Sequence, residues 1–257
     1  MNAAEAALLG VVQGLTEFLP VSSTAHLLLV QEGLGVNAEG LDLEIATHLG
    51  TVLAVAVYYR SLFVSLARDA VRGGPGRRLV LLVGLATLML GVVGAVRAAF
   101  PAVKDWRDDV SVVPWGLGLV GIFMIATAFV RRGSAEPSVV SSVGMGLGQC
   151  AAAIVTGCSR SGSTIGSGLF LGIEPASAAR FSFLMSVPAV LLGTAAEVRE
   201  HGLPATDRAG ALLVAGTFAF VSGLLAIHAM LRLVGRGNLW WFGPYCIALA
   251  VAVRLVV

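Results

Sequence analysis

Residues 157–164 read GCSRSGST. The spacing is that of the nucleotide phosphate loop G-x-x-x-x-G-K-[ST], with Gly157, Gly162 and Thr164 in place but Ser163 where the lysine belongs. Context excludes that loop, which follows a β-strand in an α/β domain. Here it interrupts an apolar stretch, about 138–172, and no alternation of strand and helix patterns occurs anywhere in the chain. A glycine-rich polar break exposes backbone groups that hydrocarbon cannot satisfy. It is tolerated only where it is buried in protein or lines a wet cavity. The stretch therefore predicts a re-entrant hairpin of half-helix, break and half-helix. Two other phosphatase patterns also fail: Thr164 stands where a cysteine-phosphatase loop starting at Cys158 needs arginine, and Gly166 stands where the acid-phosphatase-like lipid phosphatases need histidine after Arg160.

Composition agrees with a membrane setting. Of 257 residues, 57% are hydrophobic and 12% charged, with a mean hydropathy of +0.88. Soluble domains carry about 25% charged residues, so the class is a polytopic membrane protein surrounded by membrane lipids. A net charge of +2 gives no footprint for nucleic acid. Cys150, Cys158 and Cys246 are scattered in apolar surroundings and form neither a disulfide framework nor a metal cluster. The start MNAAEAALLG lacks a basic segment, so no cleaved signal peptide is expected.

Six further stretches, about 42–60, 79–97, 112–130, 176–196, 209–231 and 239–257, approach the roughly 20 residues needed to cross a bilayer. A second broken region, about 3–35, is interrupted by FLPVSSTAH. The two broken regions are related at an offset of 136, pairing Gly10 with Gly146, Gln13 with Gln149 and Ser23 with Ser159. Each half of the chain, 1–136 and 137–257, thus reads as one broken hairpin followed by three spans. An odd number of spans inverts the second half relative to the first, which is the inverted-repeat plan. Excess arginine at 60–78, 131–136 and 232–237 marks cytoplasmic loops, whereas basic and acidic residues balance at 104–109 and 197–208. Both termini and the site are then extracytoplasmic, in the plasma (inner) membrane.

The first break, QGLTEFLPVSSTAH, groups chemistry-bearing residues. Gln13 and Glu17, four apart, share a helix face. Pro20 ends that half-helix, and Ser22 and Ser23 are good N-caps for the next. Ser22 to His26 is again a spacing of four. A carboxylate at membrane depth costs about 2.5–3.5 kcal/mol, so Glu17 reads as functional rather than as a headgroup-level cap. In the second break Arg160 needs an anionic partner, and its fork suits phosphate. Ser159, Ser161 and Thr164 add hydroxyls, while Gly157 and Gly162 admit close backbone approach. A purely structural Arg160–Glu17 pair, or pairing that alternates with phosphate binding, is open at this level.

With Gln13-x-x-x-Glu17, EFLPVSSTAH at 17–26 and SRSGST at 159–164, the sequence resembles the undecaprenyl-diphosphate phosphatase family, also called the bacitracin-resistance family. The resemblance covers nearly the whole chain. It implies six transmembrane helices with two re-entrant hairpins, removal of the terminal phosphate of a polyprenyl diphosphate lipid, recycling of the cell-wall carrier, and a divalent cation, Mg²⁺ or Ca²⁺. Family motifs fall on Gln13, Glu17, Ser23 and His26, and on residues 156–164. Thr156 replaces the motif's proline, Arg180 a glutamate and His48 a common glutamine. His48 reads as a polar residue facing the bundle rather than a second ligand.

The resulting expectation makes Glu17, Ser23, His26 and Arg160 catalytic. Ser22, Thr24, Gly157, Ser159, Ser161, Gly162 and Thr164 would contact phosphate, and Glu17 with Gln13 would hold the cation. The nucleophile is Ser23 activated by His26, a water activated by His26 or Glu17, or His26 itself. The alternative from another class is a transporter that flips a polyprenyl phosphate on the same fold. A homodimer is compatible with the sequence, which does not decide oligomeric state.

Overall fold

The computed structural model describes residues 1–36, 40–100, 109–202 and 208–256. It contains α1 (Ala3–Phe18), α2 (Ser23–Leu34), α3 (Gly40–Tyr58), α4 (Arg60–Arg72), α5 (Arg77–Ala99), α6 (Val113–Ala126), α7 (Val139–Ile154), α8 (Arg160–Phe170), α9 (Pro175–His201), α10 (Ala209–Gly235) and α11 (Phe242–Val256). Short 3₁₀ turns flank α6 and precede α11. Among the described residues the only extended pairing is a single bridge between Ala135 and Ile173.

Both broken regions fold as half-helix, break and half-helix. α1 starts on a capping box in which Asn2 Oδ1 accepts from the amides of Ala4 and Glu5 at 2.9 and 3.0 Å, while the Asn2 amide donates to Glu5 Oε2 at 2.7 Å. It stops at Phe18, ahead of Pro20. α7 starts on a Ser138–Ser141 box and stops at Ile154. Both helices have 16 residues, and their bounds stand at the offset of 136 read from the sequence. In each region the two half-helices pack on one another.

The packing of the two halves also corresponds. α1 lies against α10, and its counterpart α7 lies against α5; α3 meets α10, and α9 meets α5; α2 touches α11, and α8 touches α6. Close approach is built on glycine. A Cβ at Gly10 would strike the Ala215 carbonyl of α10, and one at Gly146 would come 3.1 Å from the Ala86 carbonyl of α5. The main core joins these layers through Phe18, Met124, Met145, Ile165, Phe181, Phe183 and Met185.

The chain is an all-helical, multi-pass membrane protein. Among the described residues, four helical stretches, Arg77–Val96, Val110–Phe129, Pro175–Glu200 and Ala209–Gly235, are long and apolar enough to cross a bilayer. A fifth candidate is the bent pair α3–α4. Two expectations need correction. The first predicted span, 42–60, ends at Tyr58, and the chain turns by 80° into α4. The predicted basic loop after it is largely this helix. α4 is amphipathic, with Leu62, Phe63 and Leu66 packed against the core while Arg60, Arg68 and Arg72 stay outside, so it lies along the bundle instead of extending the span. The last predicted span is also shorter, with α11 holding 15 residues behind a 3₁₀ turn at Leu239–Trp241.

The link before α9 is pinned locally. The Ala135 amide donates to the Gly172 carbonyl and the Glu174 amide to the Ala135 carbonyl, at 3.1 and 2.9 Å. Glu174 caps α9 by accepting from the Ser177 amide at 2.6 Å. Burial opposes its charge, but the amides of Ser177 and Ala176 more than offset this and hold its carboxyl below the usual carboxylate range.

Candidate active site

Glu17, on the last turn of α1, is the centre of the site and is 9% exposed. Phe18 beside it fixes that turn, packing edge-on against Phe183 of α9 with ring centroids 5.4 Å apart. Both carboxylate oxygens are engaged. Arg160 Nη2 donates to Oε1 at 2.7 Å across a separation of 143 residues, so the two breaks meet here. Oε2 accepts from Gln13 Nε2 at 3.0 Å and from Ser23 Oγ at 3.1 Å. His48 Nε2 lies 3.6 Å from the same oxygen, and His48 Nδ1 lies 3.7 Å from Glu44 Oε1, one turn back on α3. A buried carboxylate is stable only with this degree of pairing.

The breaks are clasped to each other. Ser161 Oγ donates to the Leu19 carbonyl at 3.1 Å, and Ser159 Oγ stands 3.2 Å from Ser161 Oγ. Ser159 also caps α8, accepting from the Gly162 amide at 3.2 Å. Gly157 has φ +87° and sits hard against the Val113 backbone, so the turn that brings Arg160 inward needs a residue without Cβ. Ser22 has φ +66°, a strained setting for a residue with a side chain. It precedes α2 but makes no side-chain cap, contrary to the expectation for this serine.

A cavity of about 210 Å³ opens beside Glu17. Its polar lining includes Glu17, Ser22, Ser23, Thr24, His48 and Arg160. Its apolar lining includes Leu90, Ala152, Ala153, Ala189 and Val190. Among the remaining anticipated residues, Ser159 lines the cavity, and Gln13 reaches it through Glu17. Gly157, Ser161, Gly162 and Thr164 do not line it. Thr164 Oγ1 is turned to Ser182 Oγ at 2.6 Å and to the Arg160 carbonyl at 2.8 Å, and Gly162 packs against Met124, Val120 and Pro20.

His26 is directed elsewhere. Its Nδ1 lies 2.8 Å from the Ser22 carbonyl, which can only accept, so Nδ1 carries hydrogen. On the neutral ring Nε2 then accepts from the Tyr245 hydroxyl at 2.7 Å, and the two rings stack at 5.8 Å. Neither nitrogen faces Ser23. His48, read from the sequence as a polar residue facing the bundle, instead borders the cavity against Glu17. The Glu44–His48 spacing of four on an apolar helix was the signal available. Tyr245 carried none, because its partner is 219 residues away.

The donors fit a cation only in one mode. Among the described residues, no group of three or more His, Cys, Asp or Glu side chains could enclose an ion. Glu17, Glu44 and Ser23 nevertheless bring oxygens to one cavity. Mg²⁺ typically binds through one or two carboxylates together with substrate phosphates, and this sparse oxygen set suits that arrangement rather than an all-protein cage.

The two broken helical regions meet and pool a carboxylate, a guanidinium and hydroxyls in a multi-pass membrane protein, a set whose chemistry suits a charged ligand. Comparison with known proteins narrows the class. The model of the family "Bacitracin resistance protein BacA" matches residues 6–252. An undecaprenyl-diphosphatase of Rubrobacter xylanophilus is 42% identical over 97% of this chain and 96% of its own. One from Desulfatibacillum aliphaticivorans is 36% identical over 96% and 95%, and one from Marinobacter nauticus 35% over 100% and 99%. The chain belongs to the bacitracin resistance protein family.

Proposed function

We propose that the protein hydrolyses undecaprenyl diphosphate to undecaprenyl phosphate and inorganic phosphate. The observation that carries this reading is the meeting of Ser23, Glu17 and Arg160 on one cavity, with Ser23 Oγ 3.1 Å and Arg160 Nη2 2.7 Å from opposite oxygens of one carboxylate. The names of the relatives supply the substrate class. Transport of a lipid phosphate would need the arginine but no nucleophile beside a base.

The chemistry follows from these positions. Phosphoryl transfer demands positioning and charge neutralisation. When a diphosphate enters, Arg160 exchanges Glu17 for phosphate oxygens, which its planar fork fits better than a lysine would. Ser23 Oγ attacks the terminal phosphorus and passes its proton to Glu17 Oε2. The bond from that phosphorus to the bridging oxygen breaks, and the lipid monophosphate leaves with the electron pair. Water then attacks the phosphoserine in line, the phosphorus–Oγ bond breaks, Oγ takes back the proton held by Glu17, and inorganic phosphate leaves with the proton given up by the water. Glu17 is favoured over His26 as base because it alone already accepts from Ser23. His26 positions the strained Ser22 carbonyl against α11. A divalent cation, Mg²⁺ or Ca²⁺, would be held by Glu17, the Gln13 carbonyl and Glu44 and would neutralise charge on the phosphates.

The wider architecture we infer is six spans and two re-entrant hairpins in inverted repeats, with α3, α5, α6, α9, α10 and α11 as the spans. Its supports are the shared offset of α1 and α7 and the corresponding packing of the halves. The arginines of α4 and of 232–236 then face the cytoplasm of the plasma membrane, and both termini and the site face outward.

The test is phosphate release from undecaprenyl diphosphate by purified protein in detergent, with and without EDTA, for the native chain and Glu17→Gln. EDTA-sensitive release that Glu17→Gln abolishes is expected. No release by folded native protein would overturn the reading.

A further inference from the structure

Gln149 is the feature that the reaction above does not use. It sits on α7, is 2% exposed and forms part of the cavity wall. Among the described residues, neither its Nε2 nor its Oε1 has a hydrogen-bond partner. Buried polar groups are rarely left this way, and each unmade bond is costly.

The offset of 136 explains the vacancy. Gln149 corresponds to Gln13, and the residue four further on is Ala153 where the first half has Glu17. Gln13 spends its amide on that carboxylate at 3.0 Å. Gln149 faces an alanine instead, and Ala152 and Ala153 form cavity wall beside it. The second half thus carries the amide without the carboxylate that accepts from it in the first. An amide offers both donors and an acceptor, and rotation about its last torsion, which is broad for glutamine, turns either atom toward the cavity.

Position within the cavity selects the ligand group. Gln149, Ala152 and Ala153 of α7 line the cavity with Leu90 of α5 and with Ala189 and Val190 of α9, both α7 and α9 packing on α5, whereas Glu17, Ser23 and Arg160 are brought by α1, α2 and α8. An isoprenoid diphosphate held with its terminal phosphorus at Ser23 would place its hydrocarbon against these apolar side chains. The phosphate bonded to that hydrocarbon then lies nearest Gln149. Resting on the reaction proposed above, we propose that Gln149 recognises the lipid-proximal phosphate, the one that stays on the product, by donating from Nε2 to its oxygens.

The test uses Gln149→Met, of similar shape without the amide, and Gln149→Ala. Undecaprenyl monophosphate carries only the proximal phosphate, so its binding to purified protein is measured directly by calorimetry, which needs no turnover. A hydrogen bond to a charged group is worth about a tenfold to hundredfold change. Monophosphate affinity is expected to fall by that factor in both variants, and KM for the diphosphate to rise with it. Inhibition by inorganic phosphate should not change. Thermal midpoints should hold or rise in Gln149→Met, since removing an unpartnered buried amide relieves a cost. Unchanged monophosphate affinity in folded variants would overturn the assignment, as would weakened inhibition by inorganic phosphate alone. A lowered midpoint with native affinity would show a packing role instead. If the native chain released no phosphate, the reaction would fail separately while the calorimetry still decided Gln149.

Discussion

At the scale of residues, the site turns on who accepts the proton of Ser23. Glu17 Oε2 already accepts from that hydroxyl, whereas both nitrogens of His26 are committed to Ser22 and Tyr245. Ser23→Ala should therefore remove phosphate release by the roughly 10²–10⁴-fold expected for an acid–base or nucleophilic partner or more. His26→Ala and Tyr245→Phe should each cost less, and the double variant should be no worse than the weaker single, because the two side chains act through one contact. Steady-state rates of the four proteins check this; additive losses would separate the pair. Glu17, Ser23 and Arg160 were legible in the sequence because a charge or hydroxyl cluster in an apolar stretch has few bland explanations. The direction of His26 was not legible, since a spacing of four from Ser22 says only that the two share a face and nothing about a tyrosine on α11. His48 was undervalued for a related reason, because Glu17, the carboxylate that ties it to the site, lies on another helix.

At the scale of elements, the two breaks depend on each other. Ser161 is the clasp between them, donating from the second to the Leu19 carbonyl of the first. Ser161→Ala should lower stability by about 0.5–1.5 kcal/mol, the net worth of one hydrogen bond, because the Leu19 carbonyl keeps the Val21 amide as a donor; a reduced thermal midpoint in detergent reports it. Gly157→Ala should be harsher, since it combines φ +87° with a clash against the Val113 backbone. Folded yield and midpoint report it, and a native midpoint would show that the turn tolerates a side chain. The bounds of the half-helices could be read from Pro20, the serines and the glycines, because those residues act locally. The 80° turn after Tyr58 could not be read so directly. The hydropathy of 42–60 runs up to the turn, and only the later alternation of Leu62, Phe63 and Leu66 with arginines marks a surface helix.

At the scale of the whole molecule, the halves share an offset, a helix pattern and a packing scheme, and this correspondence sets an orientation. A cysteine at Arg68 should react only with reagents that reach the cytoplasm, and one at Ala3 only with external, membrane-impermeant reagents. Labelling both from one side would contradict the inverted arrangement. The repeat was visible as three matched residues, Gly10, Gln13 and Ser23 with their counterparts, because packing glycines and site residues change least freely where helices touch. The claim that joins all three scales is that the breaks build one catalytic unit around the Glu17–Arg160 pair. The most direct measurement is phosphate release from undecaprenyl diphosphate by the native chain, Glu17→Gln, Arg160→Ala and the double variant, each taken as monodisperse protein from gel filtration. The account predicts that either single substitution abolishes release and that the double is no slower than the worse single. Near-native turnover by either single variant, or losses that multiply, would contradict it.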